Sequence, residues 1–98
     1  MNTALEKNSI IRNLSGNSAL LKKYSVKRIG LFGSCSRGTN GKNSDIDLLV
    51  SFKSETFDNY IGLLEALKKL FNRKVDLISV DAVKQNRKQY ILKDIIWL

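Results

Sequence analysis

A strand-like apolar segment that runs into a glycine–serine turn is the strongest constraint on this chain. Val26–Phe32 has the composition of a buried strand, Gly33 and Ser34 follow it, and Asp45 and Asp47 open the next apolar segment. Because side chains alternate along a strand, Asp45 and Asp47 are expected on one face. The turn offers N–H groups and a hydroxyl to phosphate oxygens. Two carboxylates beside such a turn suit Mg²⁺, which prefers oxygen ligands.

The length and the residue types that are missing narrow the possible chemistry. We expect a single domain over residues 1–98, and 43% hydrophobic residues support a packed core. One cysteine and no histidine exclude disulfide frameworks, cysteine-based zinc sites and histidine-dependent catalysis. No segment has the roughly 18 apolar residues of a membrane span, and the N-terminus lacks the apolar core of a signal peptide. We therefore expect a cytoplasmic protein without a membrane partner.

The charge balance is strongly basic. Seventeen Lys and Arg residues against nine Asp and Glu residues give a net charge of +8. This indicates a polyanionic partner, such as a nucleotide triphosphate, a nucleic acid or an acidic protein. The basic residues are scattered along the chain, so solvated helix faces explain the charge equally well.

Apolar periodicity predicts alternating helices and strands. The predicted helices cover residues 3–14, 18–24 and 56–71, with a helical turn from Ser34 and a last helix capped by Asp81. The predicted strands cover residues 26–32, 44–52 and 74–79. The inward residues are expected to be Phe57, Tyr60, Leu64, Leu67 and Phe71 on the third helix, and Val83, Tyr90, Ile91, Ile95 and Leu98 on the last one.

This element order predicts the α/β (α+β) class, with a small mixed β-sheet of about three strands and helices packed on it. The helix between the second and third strands favours a parallel pair with a right-handed crossover. The direction of the second strand relative to the first stays open, because a short connection joins them.

A third carboxylate, Asp76, lies alone between apolar residues of the third predicted strand. If that strand neighbours the one that carries Asp45 and Asp47, the three carboxylates converge. Asp76 can then ligate a second metal ion and accept the proton of an attacking hydroxyl. Solvent-facing aspartates at a strand edge are the alternative for all three residues.

The turn residues also have two interpretations each. Gly33 allows close approach of the backbone to a phosphate, or it serves only as a turn glycine. The hydroxyl of Ser34 binds a phosphate or caps the helical turn, and the two roles are compatible. Arg37 neutralises phosphate charge or pairs with a carboxylate of the site.

These segments together resemble the signature of a known family. Residues 33–38 (Gly-Ser-Cys-Ser-Arg-Gly) and 44–48 (Ser-Asp-Ile-Asp-Leu) look like the motifs of minimal nucleotidyltransferases, small members of the DNA polymerase beta superfamily. Residues 24–32 are similar to the strand that precedes the motif, and residues 75–77 to the strand of the third carboxylate, so the resemblance covers nearly the whole chain. Ser36 departs from the alanine of many relatives, and we expect no loss of activity from it.

The resemblance implies a polymerase-beta-like nucleotidyltransferase fold with ATP as the common donor. Mg²⁺ and catalysis would depend on Asp45, Asp47 and Asp76, and nucleotide binding on Gly33, Ser34 and Arg37. Similar stand-alone domains act as antitoxins of HEPN-type ribonuclease toxins, and some add AMP to a tyrosine of the toxin. The implied function is a nucleotidyltransferase antitoxin that transfers AMP to a hydroxyl of its partner toxin.

Two other classes of function remain open at this stage. One is a binding module that masks the toxin without chemistry. The other is a basic nucleic-acid-binding protein, which ranks third because the sequence has no recognisable helix-turn-helix or aromatic stacking face. Direct binding to nucleic acid is therefore not expected. A macromolecular acceptor is favoured, because a chain of this length has no evident second domain to bind a small acceptor.

Overall fold

A small mixed sheet organises the chain, which a computed structural model describes over residues 3–33 and 45–98. The helices in this part are α1 (Thr3–Ser15), α2 (Ser18–Lys23), α3 (Phe57–Phe71) and α4 (Gln85–Lys93), with a 3₁₀ turn at Val80–Ala82. The strands are β1 (Val26–Phe32), β2 (Ile46–Phe52), β3 (Val75–Ser79) and β4 (Ile96–Trp97). None of these helices is both long enough and apolar enough to cross a membrane. The helical turn predicted from Ser34 lies outside the described residues.

The sheet has the order β3-β2-β1-β4. Strand β2 runs parallel to β3, so the parallel pairing predicted from the helix between them is confirmed, and it runs antiparallel to β1. Strand β4 is antiparallel to β1. The predicted class is confirmed, with one more strand than the sequence indicated.

Three helices cover one face of the sheet. Side chains from α1 and α3 pack there against the inward residues of β1, β2 and β3. The buried members of this cluster are Ile10, Leu14, Ile29, Leu31, Ile46, Leu48, Val50, Leu63, Leu67, Val75 and Leu77. Helix α2 adds Leu21, which is partly buried against the same cluster.

Helix α3 begins and ends where its sequence directs. The Thr56 hydroxyl accepts a hydrogen bond from the Asn59 N–H at 3.1 Å, and Asn72 ends the helix with a φ of +51°. Leu63 and Leu67 are its fully buried residues. The expected inward position of Phe57 is wrong, since that side chain is 77% exposed. Phe57 lies about 80° around the helix from Leu67, away from the buried face.

Helix α4 covers part of the opposite face. Phe32, Leu49 and Ile91 are buried there, with Ile78, Val80, Val83, Ile95 and Trp97 packed around them. Neighbouring residues of β2, such as Leu48 and Leu49, therefore belong to opposite clusters. Burial on both faces explains the continuous apolar run of this strand.

The end of the chain differs from the prediction of one long helix. Asp81 lies in the 3₁₀ turn, Lys84 occupies the N-cap of α4, and the helix ends at Lys93. Residues 96 and 97 form β4 instead, and the Leu98 N–H donates to the Ile29 carbonyl at 2.9 Å.

Two of the expected inward positions in this segment are also wrong. Tyr90 is 78% exposed and Leu98 is 38% exposed, whereas Val83, Ile91 and Ile95 pack inward as predicted. The final residues leave the predicted helix because they can pair with the free edge of β1 and because there is space for them beside it. The edge of β1 offers backbone hydrogen bonds, and Ile96 and Trp97 favour extended backbone. A Cβ on Gly30 would lie 2.6 Å from Ile95 Cδ1, so this glycine leaves room for the final segment.

Candidate active site

The end of β1 brings the backbone of Gly33 against the side chain of Asp47. Phe32 and Asp47 are paired across the antiparallel strands, and Gly33 follows with a φ of +74°. This left-handed conformation favours glycine. A Cβ on Gly33 would collide with the carboxylate of Asp47. A side chain larger than hydrogen is thus disfavoured at position 33 by backbone conformation and by space, and both interpretations of this glycine remain open.

Asp47 and Asp76 occupy neighbouring positions on parallel strands. The register pairs Asp47 of β2 with Asp76 of β3. Paired residues of adjacent strands project to the same face, and such strands lie about 4.8 Å apart. Asp47 is half-buried and Asp76 is exposed. The backbone therefore brings these two predicted site residues together.

Asp45 precedes β2 and forms an ion pair. Its carboxylate lies 3.7 Å from Lys74 Nζ, and both side chains are largely solvent-exposed. The Ile46 N–H donates to the Lys74 carbonyl at 3.0 Å, so the contact between the two strands begins at this point. An exposed pair of this kind contributes little to stability, on the order of 0–1 kcal/mol.

Carboxylate oxygens are suitable ligands for a magnesium ion, but in the described residues they are not arranged as a complete metal site. Aspartate oxygens are the ligands that Mg²⁺ prefers, and Asp47 and Asp76 share one face and one register position. Over residues 3–33 and 45–98, no group of three or more His, Cys, Asp or Glu side chains is arranged to hold a metal ion. Asp45, one of the three predicted ligands, forms its exposed ion pair with Lys74.

A pocket of about 610 Å³ opens beside Gly33 and Asp47. The strands contribute Phe32, Gly33 and Asp47 to it, and α4 and the residue after it contribute the rest. These helix-side residues are Asn86, Arg87, Tyr90, Ile91 and Asp94. The volume lies within the range of about 300–1,000 Å³ that is usual for small-ligand sites. We call this space the donor pocket, because we propose below that it binds the nucleotide donor.

The polar residues that α4 adds to the donor pocket were missed at the level of sequence. The signal was present, because Asn86, Tyr90 and Asp94 recur every four residues and so lie along one side of the helix. Because Tyr90 was predicted to point into the core, this row of polar residues was not recognised as a pocket wall. The exposure of its ring at the pocket wall shows that the row faces away from the core.

Arg87 connects the donor pocket with a second space. A smaller cavity of about 280 Å³ is lined by Asp76, Lys84 and Arg87, together with Ile78, Ala82, Val83 and Ile91. Arg87 therefore faces the Asp47 side and the Asp76 side of the site at once. No ion pair joins Arg87 to an acid within the described ranges.

Tyr60 lies on the opposite face of the sheet, on α3, and its pKa is affected by the charge of Asp76. Its hydroxyl donates a hydrogen bond to the Leu77 carbonyl on β3. Burial, and after it the negative charge of Asp76, raise the pKa of Tyr60 above its ordinary value. The phenol therefore stays protonated and holds the edge strand on which Asp76 lies.

The remaining predicted site residues, Ser34 and Arg37, lie outside the described residues, and so do Cys35, Ser36 and Lys42. The structure thus brings Gly33, Asp47 and Asp76 to the same end of three neighbouring strands, and Asp45 directly precedes the middle strand.

The described part of the chain combines a mixed sheet with carboxylates on adjacent strands, a glycine turn and an adjoining pocket. Residues 16–98 match the family model described as the nucleotidyltransferase domain. The chain belongs to the nucleotidyltransferase domain family. The resemblance to minimal nucleotidyltransferases is therefore confirmed.

Three individual proteins show where the chain stands in this family. A candidate protein adenylyltransferase of Methanocaldococcus jannaschii is 38% identical over 103 residues, which cover all of both chains. A solved candidate minimal nucleotidyltransferase is 28% identical with a TM-score of 0.77, over 98% of this chain and 95% of that one. A toxin–antitoxin crystal structure with AMP-PNP contains a chain that is 26% identical with a TM-score of 0.70, over 93% of this chain and 70% of that one.

Proposed function

We propose that this protein is a protein adenylyltransferase that acts as an antitoxin. It transfers AMP from ATP, with Mg²⁺, to a hydroxyl of a HEPN-type ribonuclease toxin and so neutralises it. Residues 1–98 act as one catalytic domain. The observation that carries the proposal is the donor pocket, because Gly33 and Asp47 of the family signature open directly into a space of nucleotide size.

The relatives support the choice of donor and acceptor. The fully aligned relative from Methanocaldococcus jannaschii is named for adenylyl transfer to protein. The related toxin–antitoxin structure was solved with AMP-PNP, an analogue of ATP.

The residues of the site have separate tasks in this reaction. Asp45, Asp47 and Asp76 would hold Mg²⁺, which when bound offsets negative charge on the phosphate oxygens. Gly33 lets the chain approach the triphosphate, and Ser34 and Arg37 bind it. Asp76 accepts the proton as the acceptor hydroxyl attacks the α-phosphorus in line. A bond from the acceptor oxygen to phosphorus forms, the bond to the bridging oxygen breaks, and pyrophosphate leaves.

Helix α4 supplies the remaining contacts to the donor. Arg87 has no acid partner among the described residues and faces the pocket, so its guanidinium is available to phosphate oxygens. Tyr90 exposes 78% of its surface at the pocket wall. An aromatic ring in that position offers a flat apolar surface on which a base can stack, in a contact worth about 1–3 kcal/mol.

Transfer of label from ATP tests the proposal. The protein is incubated with ATP labelled at the α-phosphate, Mg²⁺ and the purified product of the neighbouring reading frame. We expect label on that partner, none with a chelator, and none with Asp47→Asn, which keeps the fold and the partner complex. Wild-type rates from Asp47→Asn would remove Asp47 from the mechanism.

A binding module that masks the toxin without chemistry is the second candidate. It is favoured by the ion pair of Asp45 with Lys74 and by the lack of a three-ligand group in the described part of the chain. In that case the partner binds equally well to wild type and Asp47→Asn, is neutralised by both, and carries no label from either.

A further inference from the structure

A third depression lies on the same face of the sheet, on the other side of α4 from the donor pocket. It has a volume of about 430 Å³ and is lined by Lys27, Arg28, Leu49, Ser51, Val80, Lys88, Leu92 and Trp97. We call it the basic groove. Three of these eight residues are cationic and none is acidic, so its charge is of one sign.

The cations of the basic groove are available to a ligand. Within the described ranges, no ion pair joins Lys27, Arg28 or Lys88 to an acid. The Arg28 guanidinium carbon lies 4.0 Å from the centre of the Trp97 ring. At that distance the guanidinium makes a cation–π contact with the ring, and a guanidinium in such a contact can still bind a carboxylate through its N–H groups.

The other residues of the groove distinguish between two kinds of anion. Leu49, Val80, Leu92 and Trp97 form an apolar floor, and Leu92 is 40% exposed. A protein segment with acidic and apolar side chains satisfies both the cations and this floor. Sites that bind single-stranded nucleic acid by stacking use a free aromatic face, whereas Arg28 covers a face of the Trp97 ring, and phosphate contacts alone would leave the apolar floor without a partner. The groove therefore matches an acidic peptide better than a polynucleotide.

We propose that the basic groove docks an acidic, amphipathic segment of the protein that accepts the nucleotide. Identifying this partner with the acceptor rests on the proposed function, whereas the binding itself does not. Helix α4 contributes Lys88 and Leu92 to the groove and Arg87 and Tyr90 to the donor pocket. A helix is about 10 Å across, so only a few extended residues separate a docked segment from the pocket. Docking at the groove holds the acceptor hydroxyl near the donor without a second domain.

The one tryptophan of the chain makes binding directly measurable. Trp97 lies in the groove, so its emission reports occupancy of this site. The probe is a short synthetic peptide of alternating glutamate and leucine, compared with a glutamine–leucine peptide and a single-stranded RNA. We expect the acidic peptide to change Trp97 emission at concentrations at which the other two do not. Equal or tighter binding of the RNA or the glutamine peptide would overturn the proposal.

Matched variants separate the groove from general attraction to a basic protein. Lys27→Gln with Lys88→Gln should weaken peptide binding about tenfold. Lys22→Gln with Lys69→Gln removes the same charge from exposed positions outside the groove and should leave binding within about twofold. Equal weakening by both pairs would contradict a specific site.

Binding of ATP to the same preparations distinguishes the two proposals. ATP binding without peptide binding overturns the docking groove and leaves the proposed function intact. Peptide binding without ATP binding supports the groove and removes the adenylyltransferase. Where both bind, the Lys27 and Lys88 variant should raise the KM for the acceptor and leave ATP binding unchanged, and an unchanged KM would overturn the acceptor role.

Discussion

Asp47 and Asp76 are register partners on neighbouring parallel strands, so two carboxylates leave the same face of the sheet side by side. Like charges at adjacent positions of a sheet are destabilising. A fold that needed only stability would not place them there. They lie beside the glycine turn and the pocket, and in the proposed site a bound cation would offset the repulsion between them.

We predict that Asp76→Asn stabilises the metal-free protein by about 0.2–1 kcal/mol, because it removes one of two adjacent negative charges. Urea denaturation with a chelator measures this difference. The same variant should transfer AMP to its partner at least about 100-fold more slowly, since it loses a proton acceptor and a metal ligand.

Asp81→Asn is the control, because that exposed aspartate lies in the 3₁₀ turn and lines none of the spaces described above. It should change neither stability nor transfer appreciably. If Asp76→Asn were less stable than the wild type, Asp76 would make a net favourable contribution to the fold, and repulsion by Asp47 would not dominate.

We predict that Gly33→Ala destabilises the protein by about 2 kcal/mol or more. A left-handed conformation costs a non-glycine residue about 1–2 kcal/mol, and the new Cβ would collide with Asp47. Chemical denaturation of the single variants Gly33→Ala and Asp47→Ala and of the double variant measures both effects.

The double-mutant cycle separates the two causes. Removing the Asp47 carboxylate should relieve the collision and leave only the cost of backbone conformation, so Gly33→Ala should destabilise less in the Asp47→Ala background. Strict additivity would mean that the side chain of Asp47 does not limit the space at position 33.

Much of this arrangement was predictable from local patterns. The bounds of β1 at Val26–Phe32 follow from composition. Helix α3 begins directly after its capping residue, Thr56. The helix between β2 and β3 indicated their parallel direction, whereas the juxtaposition of Asp47 and Asp76 was conditional on the two strands being neighbours, as the structure has them. These features depend on residues that are close together in sequence, or on the general rule that two strands joined through a helix run parallel.

What escaped prediction depends on contacts between distant residues. Strand β4 exists because the edge of β1 is available to it and because Gly30 leaves space for Ile95 and Trp97. The residue pattern at the end of the chain does not indicate that this segment pairs with β1. The contribution of α4 to the donor pocket escaped for the same reason, since an apolar count cannot tell an exposed Tyr90 from a buried one.

We predict that Tyr90→Ala weakens ATP binding about tenfold or more, because the ring offers a stacking surface at the pocket wall. Tyr90→Phe should bind ATP nearly as well as the wild type. Binding of inorganic tripolyphosphate should be unaffected by either change, since that ligand has no base. Isothermal titration with both ligands measures these affinities.

Phe57→Ala is a matched control for Tyr90→Ala. Both aromatic side chains are more than three-quarters exposed, but Phe57 lies on α3 away from the donor pocket. Both variants should keep the stability of the wild type, and only the change at position 90 should affect ATP. Equal ATP affinity in all three proteins would exclude Tyr90 from the nucleotide site.

The raised pKa of Tyr60 predicts a loss of stability in alkali. The phenol has a pKa of 10.0 as its ordinary value, and burial together with the charge of Asp76 raises the pKa in the folded protein. Above pH 10.0 the unfolded chain ionises first while the folded phenol keeps its proton. The stabilising contribution is therefore complete below the ordinary pKa and is lost as the pH rises through the folded value.

Tyr60→Phe isolates this contribution, since it removes the ionisable hydroxyl and the hydrogen bond to the Leu77 carbonyl. At neutral pH the variant should be about 1 kcal/mol less stable than the wild type. Above pH 10.0 that difference should shrink, because only the wild type gains ionised phenol on unfolding. Urea denaturation of both proteins at neutral and alkaline pH measures the trend. A difference that stays constant across this range would mean that the phenol ionises alike in the folded and unfolded chains.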